Sequence, residues 1–589
     1  MAEGKILWLA LNAKYTHTSL TVRYLREACR GRFDTEILEL TINNLLPEIL
    51  GEIYERQPRV LGIACYIWNI SLVRGLLRLL PEVLPDTVLL CGGPEVSYET
   101  GRFMREFPMV DCVIRGEGEE AVPALLAALA CGGSRDIPGV AWRDADGGIH
   151  EGTAVTVADL RSLPFAYAAG ELAELSERIL YYETSRGCPF SCAYCLSCAT
   201  RGVRYVPLER VLHELAGFAR QNVRQVKLVD RTFNASKAHF LPILRFLLAL
   251  PAECRTNFHF EVAIDYLDEE VLTVLGQLPP GRIQLEIGIQ STNPRTLARV
   301  SRVNHWDKIA AHIRRILGFH NMHLHADLII GLPEEDRASF AHSFNDVYAL
   351  QADMLQLGFL KFLKGAAMMA LVDEGGYHYM PLAPYEVLSN RWLSYADIRW
   401  FHSFEQVFGY TYNAGRCRRT IDWLLRTREA GDAFCFYARL TDWWEARGYH
   451  RVGHSARQLY SELRDFAAEG YGIDGEQLDN LLRYDALLAD AGRIRPEELD
   501  WNRQQYQPLT AAFWRGAAVR QCLPDFVFTN WRDIRSCYHI ELFRYDVQQT
   551  DTAALPERLT ALLFDYTGRT VRVQPLVLRD GALAAGRDK

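Results

Sequence analysis

Apolar and polar positions follow two rhythms along this chain. Between residue 5 and about 130, short apolar runs at 6–11, 36–40, 60–65, 88–92 and 112–115 alternate with stretches at 20–29, 72–80, 100–107 and 119–130, where apolar residues recur every three or four positions. Runs with little polar face fit strands buried on both sides, and the longer rhythm fits helices lying across them. Strict alternation of the two predicts an α/β fold over residues 1–135, a doubly wound parallel sheet of Rossmann-like form. Residues 136–176, with Asp146-Gly147-Gly148 between β-prone runs, read as a hairpin and linker. A second alternation over 177–370, with strand candidates at 226–229, 258–263, 283–288, 323–329 and 354–360, predicts a full or partial β/α barrel. Beyond 370 the alternation stops, and 371–589 reads as mainly helical, with strand-like runs near 526–529, 538–543 and 571–577.

Composition narrows the class. The 589 residues are 49% hydrophobic and 23% charged with a net charge of −8, which fits a soluble globular protein of several domains and does not favour a nucleic-acid partner. No apolar run approaches the roughly 20 residues of a membrane helix. The longest candidate, 240–252, is broken by Arg245, and the apolar opening at 6–11 is too short for a secretory signal. A cytoplasmic protein without a membrane span is expected.

Most of the 14 cysteines are isolated, which argues against a disulfide scaffold. Cys188, Cys192, Cys195 and Cys198 are not. Within Thr184-Ser185-Arg186-Gly187-Cys188-Pro189-Phe190-Ser191-Cys192-Ala193-Tyr194-Cys195, three thiols stand at C-x3-C-x2-C spacing in a loop with Gly and Pro. Three thiolates hold three irons of a 4Fe-4S cluster and leave the fourth open to a substrate ligand. A structural zinc site or a ferredoxin-type cluster is the alternative reading of such thiols. The stretch, including Tyr194 before the third cysteine, resembles the radical S-adenosylmethionine superfamily. That resemblance implies cluster ligation by Cys188, Cys192 and Cys195 and reductive cleavage of S-adenosylmethionine to a 5′-deoxyadenosyl radical, with Cys198 a neighbouring thiol outside the ligand set.

Downstream positions look like the family's cofactor contacts. Asp230 and Asn234, after the second barrel strand, are expected at the methionine or ribose of S-adenosylmethionine. Gln290 and Ser291 are expected at the ribose, and Ile329 and Gly331 along the adenine. All fall at carboxyl ends of predicted parallel strands, where barrel sites are built, although helix capping and turn formation account for each type equally well.

In the N-terminal domain the corresponding ends carry four loops: Asn12 to His17, Tyr66-Ile67-Trp68-Asn69, Gly92-Gly93-Pro94-Glu95 and Arg115-Gly116-Glu117. Glycines let a large planar ligand approach the backbone. With the radical domain that follows, this set resembles the cobalamin-binding domain of one large radical S-adenosylmethionine subfamily, over roughly residues 1–370. Asn12, Tyr66, Trp68, Asn69, Gly92, Gly93, Pro94, Glu95, Gly116 and Glu117 are the implied cobalamin contacts. The D-x-H-x-x-G signature of an axial histidine is absent, so Tyr66 or Trp68 is expected against the lower face of the cobalt. A nucleotide-binding reading lacks its G-x-G-x-x-G after the first strand.

The last third resembles a cobalamin-dependent subgroup whose C-terminal domain has no assigned function. Eight of twelve tryptophans lie beyond residue 390, as core or as an aromatic cleft, and Lys361 is a candidate to face substrate. The whole resemblance implies methylation of an unactivated carbon or phosphorus in a small molecule or natural product, with an electron donor of the flavodoxin or ferredoxin type. Ring contraction or cyclisation without methyl transfer is the alternative. A tRNA methylthiotransferase would need a further cluster and a basic tail, neither visible in the sequence.

Overall fold

The run Ile-Leu-Trp-Leu-Ala-Leu-Asn forms β1 (Ile6–Asn12), and every one of its residues is buried. One face packs Leu7, Leu9 and Leu11 against Ile49 and Ile53 of the helix Leu46–Arg56 and Val73 and Leu77 of Ile70–Val83. The other packs Trp8 and Ala10 against Val22 of Leu20–Cys29 and Val122 and Leu125 of Ala121–Cys131. Burial of each such aliphatic side chain is worth about 1.5–3 kcal/mol, so a strand without a polar face belongs in the middle of a doubly covered sheet.

With β2 (Thr35–Thr41), β3 (Val60–Ala64), β4 (Val88–Gly92) and β5 (Cys112–Ile114), β1 makes the expected parallel sheet. The hairpin departs from expectation. Its strands, β6 (Val140–Arg143) and β7 (Ile149–Glu151), pair antiparallel onto β5, giving the order β2-β1-β3-β4-β5-β6-β7. Residues 140–151 therefore belong to the first sheet and cover what would be its exposed edge.

The second sheet comprises β8 (Ile179–Tyr182), β11 (Gln225–Leu228), β12 (Asn257–Glu261), β13 (Ile283–Gln290), β14 (His323–Ile330) and β15 (Met354–Phe359). All are parallel, in the order β15-β14-β13-β12-β11-β8. β8 and β15 are not joined, so the barrel takes its partial, open form. Between β8 and β11 lies a separate antiparallel pair, β9 (Ser185–Cys188) and β10 (Gly202–Tyr205).

The structure, a computed structural model, describes residues 4–199, 202–473, 475–499, 501, 503–552, 554–568, 571–579 and 581–586. Two compact units are present, Met1–Ile398 and Arg399–Lys589. The first runs past residue 370 because the chain after β15 folds back on it: Val387 N donates to Leu360 O at 2.9 Å, and Phe362 N to Tyr385 O at 2.9 Å. That return carries β16 (His378–Tyr379) and β17 (Val387–Ser389).

The second unit combines helices, among them Arg418–Arg428, Ala433–Ala446 and Ala456–Tyr471, with a four-stranded antiparallel sheet. Its strands are β18 (Tyr538–Phe543), β19 (Thr560–Asp565), β20 (Arg572–Arg579) and β21 (Ala582–Ala585). β18 and β20 fall at predicted positions, whereas the strand expected at 526–529 is a loop leading to Asn530, the N-cap of a short helix. Trp400, Trp423, Trp444, Trp501 and Trp514 are buried there as core. No described helix is long and apolar enough to cross a membrane.

Candidate active site

β9 delivers Cys188 to the carboxyl end of the second sheet, and the turn after it carries Cys192 and Cys195. The three thiols line one cavity of about 240 Å³. Two backbone bonds fix the turn, Ala193 N to Val300 O at 2.9 Å and Met368 N to Ala193 O at 2.8 Å. Arg302 donates to Cys192 Sγ at 3.5 Å, to the Tyr194 hydroxyl at 3.3 Å and to Gly288 O. Among the described residues, no three His, Cys, Asp or Glu side chains converge on a single ion. Three thiols that line one cavity suit a cluster with one iron for each. The Cys198 side chain lies outside the described residues.

Of the residues expected to touch S-adenosylmethionine, Tyr194 and Gln290 line this cavity; Asp230, Asn234, Ser291, Ile329 and Gly331 do not. Asp230 is 1% exposed and accepts from Thr184 N at 2.9 Å, Thr184 Oγ1 at 2.7 Å and Ser185 Oγ at 2.5 Å. It holds the cluster strand in place. Asn234 bonds both Ala263 O and Ala263 N, tying the turn after β11 to that after β12. Ser291 donates to Glu335 at 2.6 Å and accepts from Asn293 N. Ile329 is half-buried on β14, and the Gly331 carbonyl accepts from the Tyr377 hydroxyl and Asn390 Nδ2.

Strand register supplies an acidic group that sequence reading missed. Glu261 on β12 lies beside Glu286 on β13, and Gly288 beside Asp327 on β14. A hydrogen bond from His259 at 2.8 Å, with Lys227 at 3.1 Å, pulls the Glu286 carboxyl down to about 2. Burial, and then the charges of Glu286 and Glu261, push Asp327 up to about 8. Asp327 Oδ1 is buried without a hydrogen-bond partner. The cavity thus keeps a proton on one carboxyl at neutral pH.

A second cavity, of about 660 Å³, opens at the carboxyl ends of β1, β3, β4 and β5, at the point where strand order reverses. Its floor is apolar, with Ala10, Ala64, Leu90 and Ile114, and Tyr181, Lys227 and Arg231 line it from the second sheet. Tyr66 and Trp68 line it too, stacked on each other with ring centres 4.4 Å apart and 4° between planes. An apolar floor with close backbone fits a large planar macrocycle such as cobalamin.

Asn12, Asn69, Gly92, Gly93, Gly116 and Glu117 also line this space, but several are committed within the chain. Asn69 donates to Leu11 O and Ala64 O, pinning two strand ends, and Asn12 donates to His17 O and Glu39. A Cβ on Gly93 (φ +115°) would meet Cys65 O at 2.4 Å; one on Gly116 (φ +86°) would meet Val155 O at 2.1 Å. Pro94 and Glu95 do not line the cavity. Pro94 starts the helix Pro94–Ser97, and buried Glu95 accepts from the Tyr385 hydroxyl at 2.6 Å and pairs with Lys364 at 3.4 Å. Lys361 is exposed and lines neither cavity.

Glu117 proves to be a fastener. With Glu119 and Glu183 it surrounds Arg186, at 3.0, 2.5 and 2.7 Å, and it also bonds Arg204 at 2.6 Å. Arg186 sits two residues before Cys188, so this ion set joins the cluster strand to a loop of the first sheet. The Arg-Gly-Cys adjacency and the paired glutamates at 117 and 119 were the only signals for it in the sequence; Arg302 left none. Arg231 lines both cavities.

Comparison with known proteins agrees with this arrangement. Residues 6–126 match the B12 binding domain, 182–347 the Radical SAM superfamily, and 373–564 a protein family of unknown function, DUF4080. The chain is 29% identical over 308 residues to the cobalamin-dependent radical SAM methyltransferase TokK of Streptomyces tokunonensis, covering 48% of this chain and 44% of that protein. It is 28% identical over 307 residues to 2-(S-pantetheinyl)-carbapenam-3-carboxylate methyltransferase of Streptantibioticus cattleyicolor, covering 48% and 44%. The match thus spans under half the length of these curated relatives. Among solved structures, the cobalamin-dependent S-adenosylmethionine radical enzyme OxsB superposes with a TM-score of 0.58 at 14% identity, over 84% of this chain and 82% of that one, a likeness of fold.

Proposed function

Because the chain belongs to the radical S-adenosylmethionine superfamily, with a B12-binding domain before that core and a domain of unknown function after it, we propose that it is an enzyme that methylates an unactivated carbon, or phosphorus, of a small molecule. The observation that carries this reading is that the cavity of the three thiols and the cavity of the first sheet share a wall at Arg231. When bound, a 4Fe-4S cluster supplies the electron that cleaves S-adenosylmethionine, and cobalamin supplies the methyl group.

The chain's own residues do the rest. Cys188, Cys192 and Cys195 hold the cluster, and Arg302 steadies Cys192 by donating to its sulfur. Tyr194 and Gln290 stand where S-adenosylmethionine would bind. The Tyr66–Trp68 stack walls the cobalamin cavity, and Arg186 keeps the two cavities in register. Proximity of two bound groups converts an encounter into an intramolecular event. A one-electron donor of flavodoxin or ferredoxin type is the partner this chemistry requires.

The test uses anaerobic protein reconstituted with iron, sulfide and cobalamin, then given reductant, methyl-deuterated S-adenosylmethionine and cell extract. Formation of 5′-deoxyadenosine together with a deuteromethylated small molecule is expected, and both should vanish in Cys192→Ala. Products carrying no label beside undiminished 5′-deoxyadenosine would replace methyl transfer with rearrangement or cyclisation.

A further inference from the structure

Most of the cations that line the two cavities are held by partners within the chain. Arg186 is matched by Glu117, Glu119 and Glu183 and Lys227 by Glu286, while Arg302 is held by hydrogen bonds to the Cys192 sulfur, the Tyr194 hydroxyl and Gly288 O. Arg231 differs. Its carbonyl accepts from the Thr232 hydroxyl, but its exposed side chain forms no hydrogen bond or ion pair with another described residue, and among the described residues it is the one arginine that lines both cavities. Its backbone is held firmly, between buried Asp230 and Thr232, whose hydroxyl lies 3.5 Å from Cys188 Sγ. A fixed backbone that carries an unmatched guanidinium into the space between two cofactor sites is a receptor waiting for an anion.

We propose that Arg231 anchors a carboxylate or phosphate group of the substrate, so that the substrate is an anionic small molecule. This rests on the methyl-transfer reading for the word substrate, but the receptor itself is a property of the chain. Arg231 lines the thiol cavity as well as the larger one, so a molecule chelated at the cluster meets it from one side only, whereas a methyl acceptor, which has to stand between the cluster and the cobalamin, meets it at the wall the two cavities share. The fork geometry of a guanidinium would also fix the acceptor's orientation, since two parallel bonds to one carboxylate or phosphate leave little rotation. Glu261 and Asp327 line only the thiol cavity, where the charge of Arg231 also acts on Glu261, and these carboxyls disfavour a second anionic group on the same substrate.

Calorimetric titration of the cluster- and cobalamin-loaded protein with succinate and with inorganic phosphate tests the receptor directly. Wild-type protein is expected to bind at least one of them at a single site. Arg231→Gln should weaken that binding by about tenfold or more, the loss of a charge-assisted bond, and Arg231→Lys should restore part of it. Equal binding by wild type and Arg231→Gln, or binding of neither anion by wild type, would overturn the proposal. So would a KM for S-adenosylmethionine that rises in Arg231→Gln by the same factor as the anion constant, because the arginine would then serve the cosubstrate. In the labelled extract, a deuteromethylated acceptor that is retained on an anion exchanger at neutral pH supports it, and one that passes through overturns it. Anion binding that depends on Arg231, with no label transferred to anything, keeps the receptor and removes methyl transfer.

Discussion

At the scale of single residues, burial decides whether a polar side chain is a fastener or a reagent. Asp230, just after β11, takes three hydrogen bonds, whereas Asp327, within β14, leaves Oδ1 with none. The first is spent on structure; the second is available to a ligand. Asp327 also makes a prediction for stability. Its folded value of about 8 lies above the ordinary 3.8, so over that interval the native state holds a proton that the unfolded chain releases. Its contribution therefore favours folding below the ordinary value and is lost as pH rises toward 8. Asp327→Asn, which carries no such proton, should melt higher than wild type at pH 8 by a few degrees, with the gap closing toward pH 5. Thermal unfolding of cluster-free protein across that range checks it, and a gap independent of pH would contradict it.

At the scale of elements, alternation along β13 and β14 is the telling pattern. Parallel strands covered on both faces read as unbroken apolar runs, as β1 does. β13 and β14 instead bury every second residue and turn Gln284, Glu286, His325 and Asp327 into the open barrel. Their sequences announced a polar interior, but the register that sets Glu286 between Glu261 and His325 came only with pairing. The return loops obey a different constraint. Gly116 combines a left-handed backbone with contact against Val155 O, so Gly116→Ala should cost about 1–3 kcal/mol. Since the same loop walls the larger cavity, cobalamin retention through gel filtration should fall in that variant, and unchanged retention would mean that the loop is not part of the seat.

Over the whole molecule, two domains of the first unit are coupled through Arg186. Replacing it by Gln leaves Glu119 and Glu183 unmatched and Glu117 with Arg204 alone, a loss of about 3–5 kcal/mol for a largely buried ion set. Denaturant unfolding of Arg186→Gln, followed by fluorescence and circular dichroism, is expected to separate into two transitions where wild type shows one for this unit. A single transition shifted by under about 1 kcal/mol, the worth of an exposed pair, would make the ion set superficial. Every residue that lines either cavity lies before 328. A chain ended at Ile398 should therefore load iron and cobalamin as the full chain does, and absorbance and metal analysis of that truncation decide it.

Much of this was legible in the linear chain. The spacing of Cys188, Cys192 and Cys195, the strands from β1 to β5 and the helices near 20–29, 72–80 and 100–107 follow from local pattern, because a thiol loop and an apolar run carry their meaning within a few residues, whereas the helix Leu46–Arg56 was not read from it. Strand β19 and the loop at 526–529 were not legible, since short apolar segments suit strand, helix and loop alike until neighbours choose. Functional side chains divided the same way. Tyr66, Trp68, Gly93 and Gln290 line the cavities, whereas Asp230, Asn234, Ser291 and Glu95 are taken up in internal bonds. Arg302 and Arg231 acquired their roles only when the fold brought distant segments to one space. Sequence determines which chemical groups are present and in what local geometry; tertiary structure decides which of them remain unsatisfied and so can meet a ligand, because hydrogen-bond partners come from anywhere in the chain.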